Sequence, residues 1–173
     1  ESMPNYYVTA ALFLPARERK NLPVIIFCSG HGAPAFRSGI YQQMVLNYVQ
    51  KGFAVLAFDP IGQGERIQYA KTSEPKRFGN LKPTLEHSYP GAQSFVAGVS
   101  PAMYFIWDGI RAVDYLLTRP EIDAKRIGIT GRSGGGTQSA YIAALDTRIA
   151  AAAPECYLTT YDKLLKSNGP QDA

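Results

Sequence analysis

The stretch Gly131-Arg132-Ser133-Gly134-Gly135 follows the pattern G-x-S-x-G. In this pattern a serine occupies a sharp, strained turn between a strand and a helix, and the glycines permit the turn because they carry no Cβ. The flanking sequence agrees: residues 126–130 are a short apolar run suited to a buried strand, and residues 134–145 have the pattern of a helix with small residues towards that strand. We therefore interpret Ser133 as a candidate nucleophile, against the alternative of a structural turn with an inert serine.

The composition indicates one globular domain. The chain has 173 residues, 46% hydrophobic and 18% charged, which is enough to bury a substantial core. Its net charge of +4 is mild and the basic residues are scattered, so nucleic acid is not predicted as a partner. No apolar run is long enough to cross a membrane. The two cysteines, Cys28 and Cys156, lie in or beside apolar runs, which favours buried free thiols over a disulfide.

The order of the predicted elements indicates an α/β protein. We expect an edge strand over residues 6–14, buried strands over 24–28 and 53–58, the strand before Ser133 and a strand over 148–154, with helices over 38–51, 103–117, 134–145 and 159–167. Residues 59–100 show no persistent period, so a long loop or lid is predicted there. Such alternation is typical of a mostly parallel, doubly wound sheet, which binds its ligands at the carboxyl ends of its strands.

The helix over residues 103–117 has a clear apolar stripe. We expect Phe105, Ile106, Ile110, Val113, Leu116 and Leu117 to face inward, and Asp108, Arg111 and Asp114 to face mostly outward. Two further expectations concern charged neighbours: Glu65 and Arg66 form a local ion pair, and Asp59 is a hydrogen-bonding turn residue.

Four stretches resemble the α/β-hydrolases, most of all the acetyl-xylan-esterase and dienelactone-hydrolase-like members. They are Gly30-His31-Gly32, residues 59–65 (DPIGQGE), residues 107–116 (WDGIRAVDYL) and the serine turn. The resemblance implies that residues 1–173 form a partial α/β-hydrolase catalytic domain, its N-terminal two-thirds, truncated after the strand that follows the serine turn. It further implies a serine carboxylic-ester hydrolase that acts on acetylated or otherwise esterified carbohydrate, and it favours a secreted or periplasmic location. The chain departs from the usual sequence of the sugar-acetyl esterases at two positions, with Ile61 in place of arginine and Gly134 in place of glutamine. These departures affect the expected substrate and not the expected fold.

Acyl transfer needs a nucleophile, a base, a carboxylate and donors for the oxyanion. Beside Ser133, the backbone N–H of Gly134 is the first candidate donor, and the resemblance implies that of Ala33 as the second. Neither a metal nor a cofactor is predicted, because no ligand spacing or phosphate loop is present.

The candidate substrate-binding residues are His31, Gly32, His87 and Arg132. The resemblance implies that His31 braces its turn. His87 either lines the mouth of the site or is a solvated loop histidine. Arg132 either pairs with an anionic substrate, such as a uronate ester, or only supports the turn.

The base is missing from the sequence pattern. This fold has the order serine, acid, histidine, yet both histidines precede Ser133. Asp162 is a candidate for the catalytic acid, although in this fold the acid usually follows the next strand of the sheet. Residues 149–153 are apolar on both faces and would form a bare edge strand. We therefore expect about 55 further residues, from a further segment or another chain.

Several aromatic residues have two interpretations. Stacking on sugar rings and simple anchoring of the loop are both open for Tyr69, Phe78, Tyr89 and Phe95. Tyr41 and Tyr141 are expected to pack at the edge of the core. Two alternatives to the esterase also remain: a prolyl-oligopeptidase-like serine peptidase, and a non-catalytic fragment or binding module of a larger hydrolase.

Overall fold

The computed structural model describes residues 1–17, 20–70 and 81–167. A five-stranded sheet contains β1 (Ala10–Phe13), β2 (Leu22–Cys28), β3 (Ala54–Phe58), β4 (Ile122–Arg132) and β5 (Ala151–Glu155). The helices are α1 (Gly39–Gln50), α2 (Pro83–Val96), α3 (Ala102–Leu117), α4 (Gly134–Leu145) and α5 (Tyr161–Leu165), and a 3-10 helix spans Ala35–Arg37.

The sheet has the strand order β1-β3-β2-β4-β5. Strand β1 is antiparallel to β3, and every other neighbouring pair is parallel. The segments that follow β2, β3 and β4 therefore meet at one edge of the sheet, which is where such folds place their sites. The mostly parallel α/β sheet predicted from the sequence is confirmed.

The core has two layers because successive strand residues point to opposite faces of the sheet. On one face, Ile26 of β2 belongs to a cluster that includes Val113 of α3 and Ile142 of α4. On the other face, Phe27 packs in a cluster with Val45 of α1. Helices thus cover both faces of the sheet. None of the helices in the described residues is long and apolar enough to cross a membrane.

The segment over residues 59–100, predicted to be a long loop or lid, contains the 14-residue helix α2. Its buried residues are Glu86, His87 and Gly91, and Pro90 lies inside it. A helix that buries polar and small side chains has no apolar stripe, so the sequence carries no periodic signal for it.

Two expectations for α3 are wrong. Asp108 is buried, with 1% of its surface exposed, and its Oδ2 accepts a hydrogen bond of 2.7 Å from Arg66. Leu117, expected inside, is 43% exposed. Helical periodicity assigns a charged residue to the solvent face, and here a buried partner from a distant segment overrides it.

Both cysteines are free thiols, as predicted. Cys28 lies at the end of β2 and is buried, and this burial raises the pKa of its thiol. Cys156 is exposed, so the expected burial is wrong for this residue, which follows the edge strand β5.

Candidate active site

Ser133 occupies the sharp turn between β4 and α4 that the glycine-flanked pattern predicts. Its backbone has φ 58° and ψ −121°, a left-handed φ that is uncommon for a residue with a side chain. The turn is tied on both sides, because Ser133 N–H donates to the carbonyl of Glu155 at 2.9 Å and its carbonyl accepts from Thr137 N–H at 3.0 Å. Ser133 is exposed at this turn.

The two outer glycines of the pentad are required by the end of β2. A Cβ on Gly131 would lie 2.4 Å from the carbonyl oxygen of Cys28, and a Cβ on Gly135 would lie 2.1 Å from the same atom. Both distances are far below van der Waals contact. The serine turn can therefore approach β2 only because both positions lack a side chain.

The loop after β2, residues 29–34, is called here the HG loop. Gln63 is buried, and its Nε2 donates to the carbonyls of Gly30 and Gly32 at 3.0 and 3.1 Å. The N–H of Gly64 donates to the carbonyl of Ala33 at 2.9 Å. The Gly-Gln-Gly segment after β3 thus fixes the backbone of the HG loop.

The charged residues around this segment pair over long distances in the chain. Asp59 is fully buried and accepts hydrogen bonds from Thr9, Arg37 and the N–H of Glu65, so its predicted hydrogen-bonding role is confirmed. The predicted Glu65–Arg66 pair is wrong: Glu65 binds Arg37 at 3.2 Å, while Arg66 binds a buried carboxylate of α3.

The two histidines contact each other. His87, on α2, is buried, and its Nδ1 lies 3.1 Å from Nε2 of His31. Its Nε2 lies 2.8 Å from the carbonyl oxygen of Ile61, and the ring of Phe105 packs edge-on at a centroid distance of 5.1 Å. The alternative of a solvated loop histidine is therefore wrong for His87.

A cavity of about 1590 Å³ adjoins the serine turn. Its lining includes four predicted site residues: Ser133, Gly134, His31 and His87. Arg132 is exposed at the end of β4, and Gly32 and Ala33 belong to the HG loop; these three do not line the cavity. Asp162 is not brought to Ser133 either, since it lies on the exposed side of α5 with its carboxylate 2.7 Å from Lys166.

Tyr157 is a cavity residue that the sequence reasoning missed. Its ring lies near that of Tyr141, with centroids 6.1 Å apart, and both tyrosines line the cavity. Burial, followed by the hydrogen bond with Tyr141, raises the pKa of Tyr157 to about 12. The phenol is therefore protonated at neutral pH and can donate a hydrogen bond. It follows the last predicted strand and belongs to no motif, so only its aromatic character could have drawn attention.

The other aromatic residues separate into two groups. Tyr69 and Tyr89 pack edge to face at 5.6 Å, which favours anchoring. Phe95 is 82% exposed and lines the cavity. Phe78 lies outside the described residues. Within the described ranges no group of three or more His, Cys, Asp or Glu residues is placed to hold a metal ion.

Comparison with known proteins gives a consistent result. The family model for acetyl xylan esterase (AXE1) matches residues 1–172. The protein YtaP of Bacillus subtilis (strain 168) is 25% identical over 177 residues, with 96% of this chain and 52% of that protein covered.

Two solved structures are similar in fold and sequence. Acetyl xylan esterase 1 from Thermoanaerobacterium sp. JW/SL YS485 is 27% identical with a TM-score of 0.66, covering 91% of this chain and 46% of that one. For the acetyl xylan esterase from Paenibacillus sp. R4, identity is 27%, the TM-score is 0.58, and coverage is 85% of this chain and 43% of that one. This chain spans about half the length of these relatives.

Proposed function

Since this chain belongs to the acetyl xylan esterase family, we propose that it carries the nucleophile and the oxyanion donors of a serine ester hydrolase. The observation that carries the proposal is the backbone of Ser133, with φ 58° at a turn between a parallel strand and a 12-residue helix. A left-handed residue with a side chain persists only where its surroundings enforce it, and such strain is concentrated at functional sites. A serine in this turn projects its hydroxyl at the edge of the sheet.

In the proposed reaction Ser133 Oγ attacks the acyl carbon and gives its proton to a histidine. The oxyanion of the tetrahedral intermediate accepts hydrogen bonds from the N–H groups of Gly134 and Ala33. The bond to the alcohol oxygen then breaks, and the alcohol leaves with the proton from the histidine. Water next attacks the acyl-enzyme, giving its proton to the histidine, which returns it to Ser133 as the carboxylic acid departs. Loss of one oxyanion donor lowers turnover by about 10²–10³ in such enzymes.

We assign the histidine and the acid of this reaction to polypeptide outside these 173 residues, from a further segment or from another chain. Three observations support this assignment. His31 and His87 contact each other, and the carboxylate of Asp162 binds Lys166. Strand β5 is an edge strand whose first three residues are exposed, so the sheet has room for a further strand beside it.

The proposed substrate class is acetylated or otherwise esterified carbohydrate. Beside family membership, the cavity supports it, because Tyr141, Tyr157 and Phe95 line the same cavity as Ser133 and bring aromatic rings and phenol hydroxyls to it. Rings of this kind pack on the apolar faces of sugars, while the hydroxyls offer hydrogen bonds. Arg132, exposed beside the nucleophile, would pair with the carboxylate of a uronate ester. The same family membership favours an ester over the peptide bond of a prolyl-oligopeptidase-like enzyme.

The test is the intact mass of the natural-length protein after reaction with a fluorophosphonate. We expect one adduct, its loss in Ser133→Ala and its retention in Ser88→Ala, a matched control because Ser88 is an exposed serine in the lining of the same cavity. Failure of the folded protein to react would contradict the proposal and favour a non-catalytic binding module. Deacetylation of acetylated xylo-oligosaccharides, measured beside hydrolysis of a peptide anilide, then separates the esterase from the peptidase.

A further inference from the structure

We propose that His87 is a positioning residue that holds the HG loop, through His31, in the geometry in which Ala33 N–H receives the oxyanion. The inference rests on the proposed function, because Ala33 has that role only if Ser133 is an acyl-transfer nucleophile. The inference gives helix α2 a role in the geometry of the site, although no sequence motif marks this helix.

The direction of the hydrogen bonds follows from one atom that can only accept. The carbonyl oxygen of Ile61 lies 2.8 Å from Nε2 of His87, so this nitrogen carries a hydrogen. In the neutral ring Nδ1 is then an acceptor, and it receives the Nε2–H of His31 at 3.1 Å. The proposed order of donors and acceptors therefore runs from His31 Nε2–H to His87 Nδ1, and from His87 Nε2–H to the Ile61 carbonyl.

The ring of His87 is held in one orientation by its surroundings. It is 5% exposed, and Phe105 of α3 packs edge-on against it. The backbone of Gly62 approaches so closely that a Cβ there would lie 3.1 Å from Cδ2 of the imidazole. The neighbouring residue Glu86 is also held in place, because its buried carboxylate accepts a hydrogen bond of 2.8 Å from the N–H of Gln68. Such packing makes His87 a fixed anchor for the loop.

The HG loop is consequently supported in two ways. Its backbone is held on both sides of His31, where Gln63 binds the carbonyls of Gly30 and Gly32. Its side chain is held by His87. Without the second support His31 loses its contact with the α2 side of the loop. The backbone at Ala33 is then constrained through the Gly64 N–H bond to its carbonyl, and no longer also through the His31 side chain. An oxyanion donor must lie within a few tenths of an ångström of its position in the transition state, so this loss lowers kcat more than it raises KM.

The first test is independent of catalysis: long-range ¹H–¹⁵N correlation NMR of the histidine rings, assigned by the signals that disappear in His87→Gln. We expect the Nε2–H tautomer for His87, with Nδ1 as a hydrogen-bond acceptor. A His87 ring with its hydrogen on Nδ1, or one that exchanges between tautomers, would overturn the proposal whether or not the protein is an esterase.

The second test compares steady-state hydrolysis of 4-nitrophenyl acetate by variants of the natural-length protein. His87→Leu removes both hydrogen bonds of the imidazole. We expect kcat to fall about 10- to 100-fold, which is less than the loss of one oxyanion donor causes. KM should stay within about twofold of the wild-type value. His87→Gln keeps a donor and an acceptor and should recover most of kcat. Gln93→Ala, on the exposed side of the same helix, should match the wild type.

Three outcomes have distinct meanings. A folded His87→Leu with wild-type kcat refutes the positioning role. If His87→Leu does not fold, the His87→Gln variant decides. A His87→Gln protein that folds and keeps the His31 tautomer, but loses as much kcat as the loss of an oxyanion donor would cause, also refutes the positioning role. If every protein including the wild type is inactive, the proposed function fails, and the tautomer measurement alone decides the hydrogen-bond order.

Discussion

At Gly131 and Gly135 the absence of a side chain allows the serine turn to lie close to β2. We expect Gly135→Ala to lower the free energy of unfolding by about 3 kcal/mol or more, because the new Cβ meets a backbone carbonyl that cannot rotate away. Urea unfolding followed by circular dichroism measures the loss.

Gly39→Ala is the matched control for this substitution. Gly39 begins α1, and a Cβ there meets nothing within 4 Å. The alanine should leave stability unchanged or raise it by up to about 1 kcal/mol, since glycine loses more conformational freedom on folding. Equal effects of the two alanines would show that the turn tolerates a Cβ, against the interpretation given to the pentad.

Individual charged residues show where sequence reasoning stops. Glu65 and Arg66 are adjacent in the chain and of opposite charge, yet each binds a different, distant partner. Neighbouring residues often point to opposite sides of the backbone, so adjacency alone does not make a pair. The partners Arg37 and Asp108 are brought to them only by the folded sheet and α3, which a local pattern does not contain.

At the scale of elements, one guanidinium joins α3 to the end of α4. Arg148 donates to Asp146 at the end of α4, through Nη2 at 2.6 Å and Nε at 2.8 Å, and to Asp114 of α3 at 2.6 Å. The pKa of the Asp146 carboxyl is lowered, chiefly by the hydrogen bond that it accepts from Arg148. The ionised carboxylate is therefore the form that the fold stabilises.

This arrangement predicts a loss of stability in acid. A carboxyl whose pKa is lower in the folded state stabilises the protein above its unfolded pKa, and this contribution disappears as the pH falls through the folded value. We expect Asp146→Asn to cost about 1–2 kcal/mol at neutral pH, because the guanidinium is partly exposed. Below about pH 4 the difference from the wild type should shrink. If the urea midpoints of Asp146→Asn and the wild type differed by the same amount at every pH, this assignment would be contradicted.

Elements also differ in how readily a sequence predicts them. The bounds predicted for helix α4 are those of the structure, since the G-x-S-x-G pattern sets its start and small and apolar residues continue to Leu145. Helix α2 was missed because its buried residues are a glutamate, a histidine and a glycine. The buried glutamate and histidine are hydrogen-bonded to the Gln68 N–H and the Ile61 carbonyl, respectively, and such tertiary contacts have no period in the sequence.

At the scale of the whole molecule, the two edge strands of the sheet differ in direction and in exposure. The antiparallel strand β1 ends one side, while β5 ends the other with exposed alanines. An open edge with small apolar side chains invites pairing between chains. We expect the 173-residue chain to self-associate with rising concentration in sedimentation velocity, and Ala152→Lys to reduce this association.

Gln50→Lys supplies the control, since it adds the same charge at an exposed position at the end of α1, remote from β5. A reduction of equal size in both variants would assign the effect to net charge and not to the strand edge. A chain that remains monomeric without either substitution would contradict the expectation directly.

The sheet was readable from the sequence in outline, because β2, β3 and the second half of β4 are apolar runs that a glycine-containing turn follows. The geometry of the candidate site was readable only in part. The serine turn is local and was found. The His31–His87 contact and the tyrosine pair join residues 56 and 16 positions apart, and their formation depends on how α2 and the segment after β5 pack.

The supports of the HG loop have a consequence for the order of assembly during synthesis. The loop leaves the ribosome well before Gln63, Gly64 and His87, which supply its hydrogen bonds. Chains begin to fold from the N-terminus as they emerge, so a nascent chain arrested before α2 can pair β2 with β3 and still hold an unfinished loop. The HG loop therefore receives its last support only when α2 has formed, and synthesis that pauses within residues 64–87 prolongs the interval in which this loop is accessible to proteases.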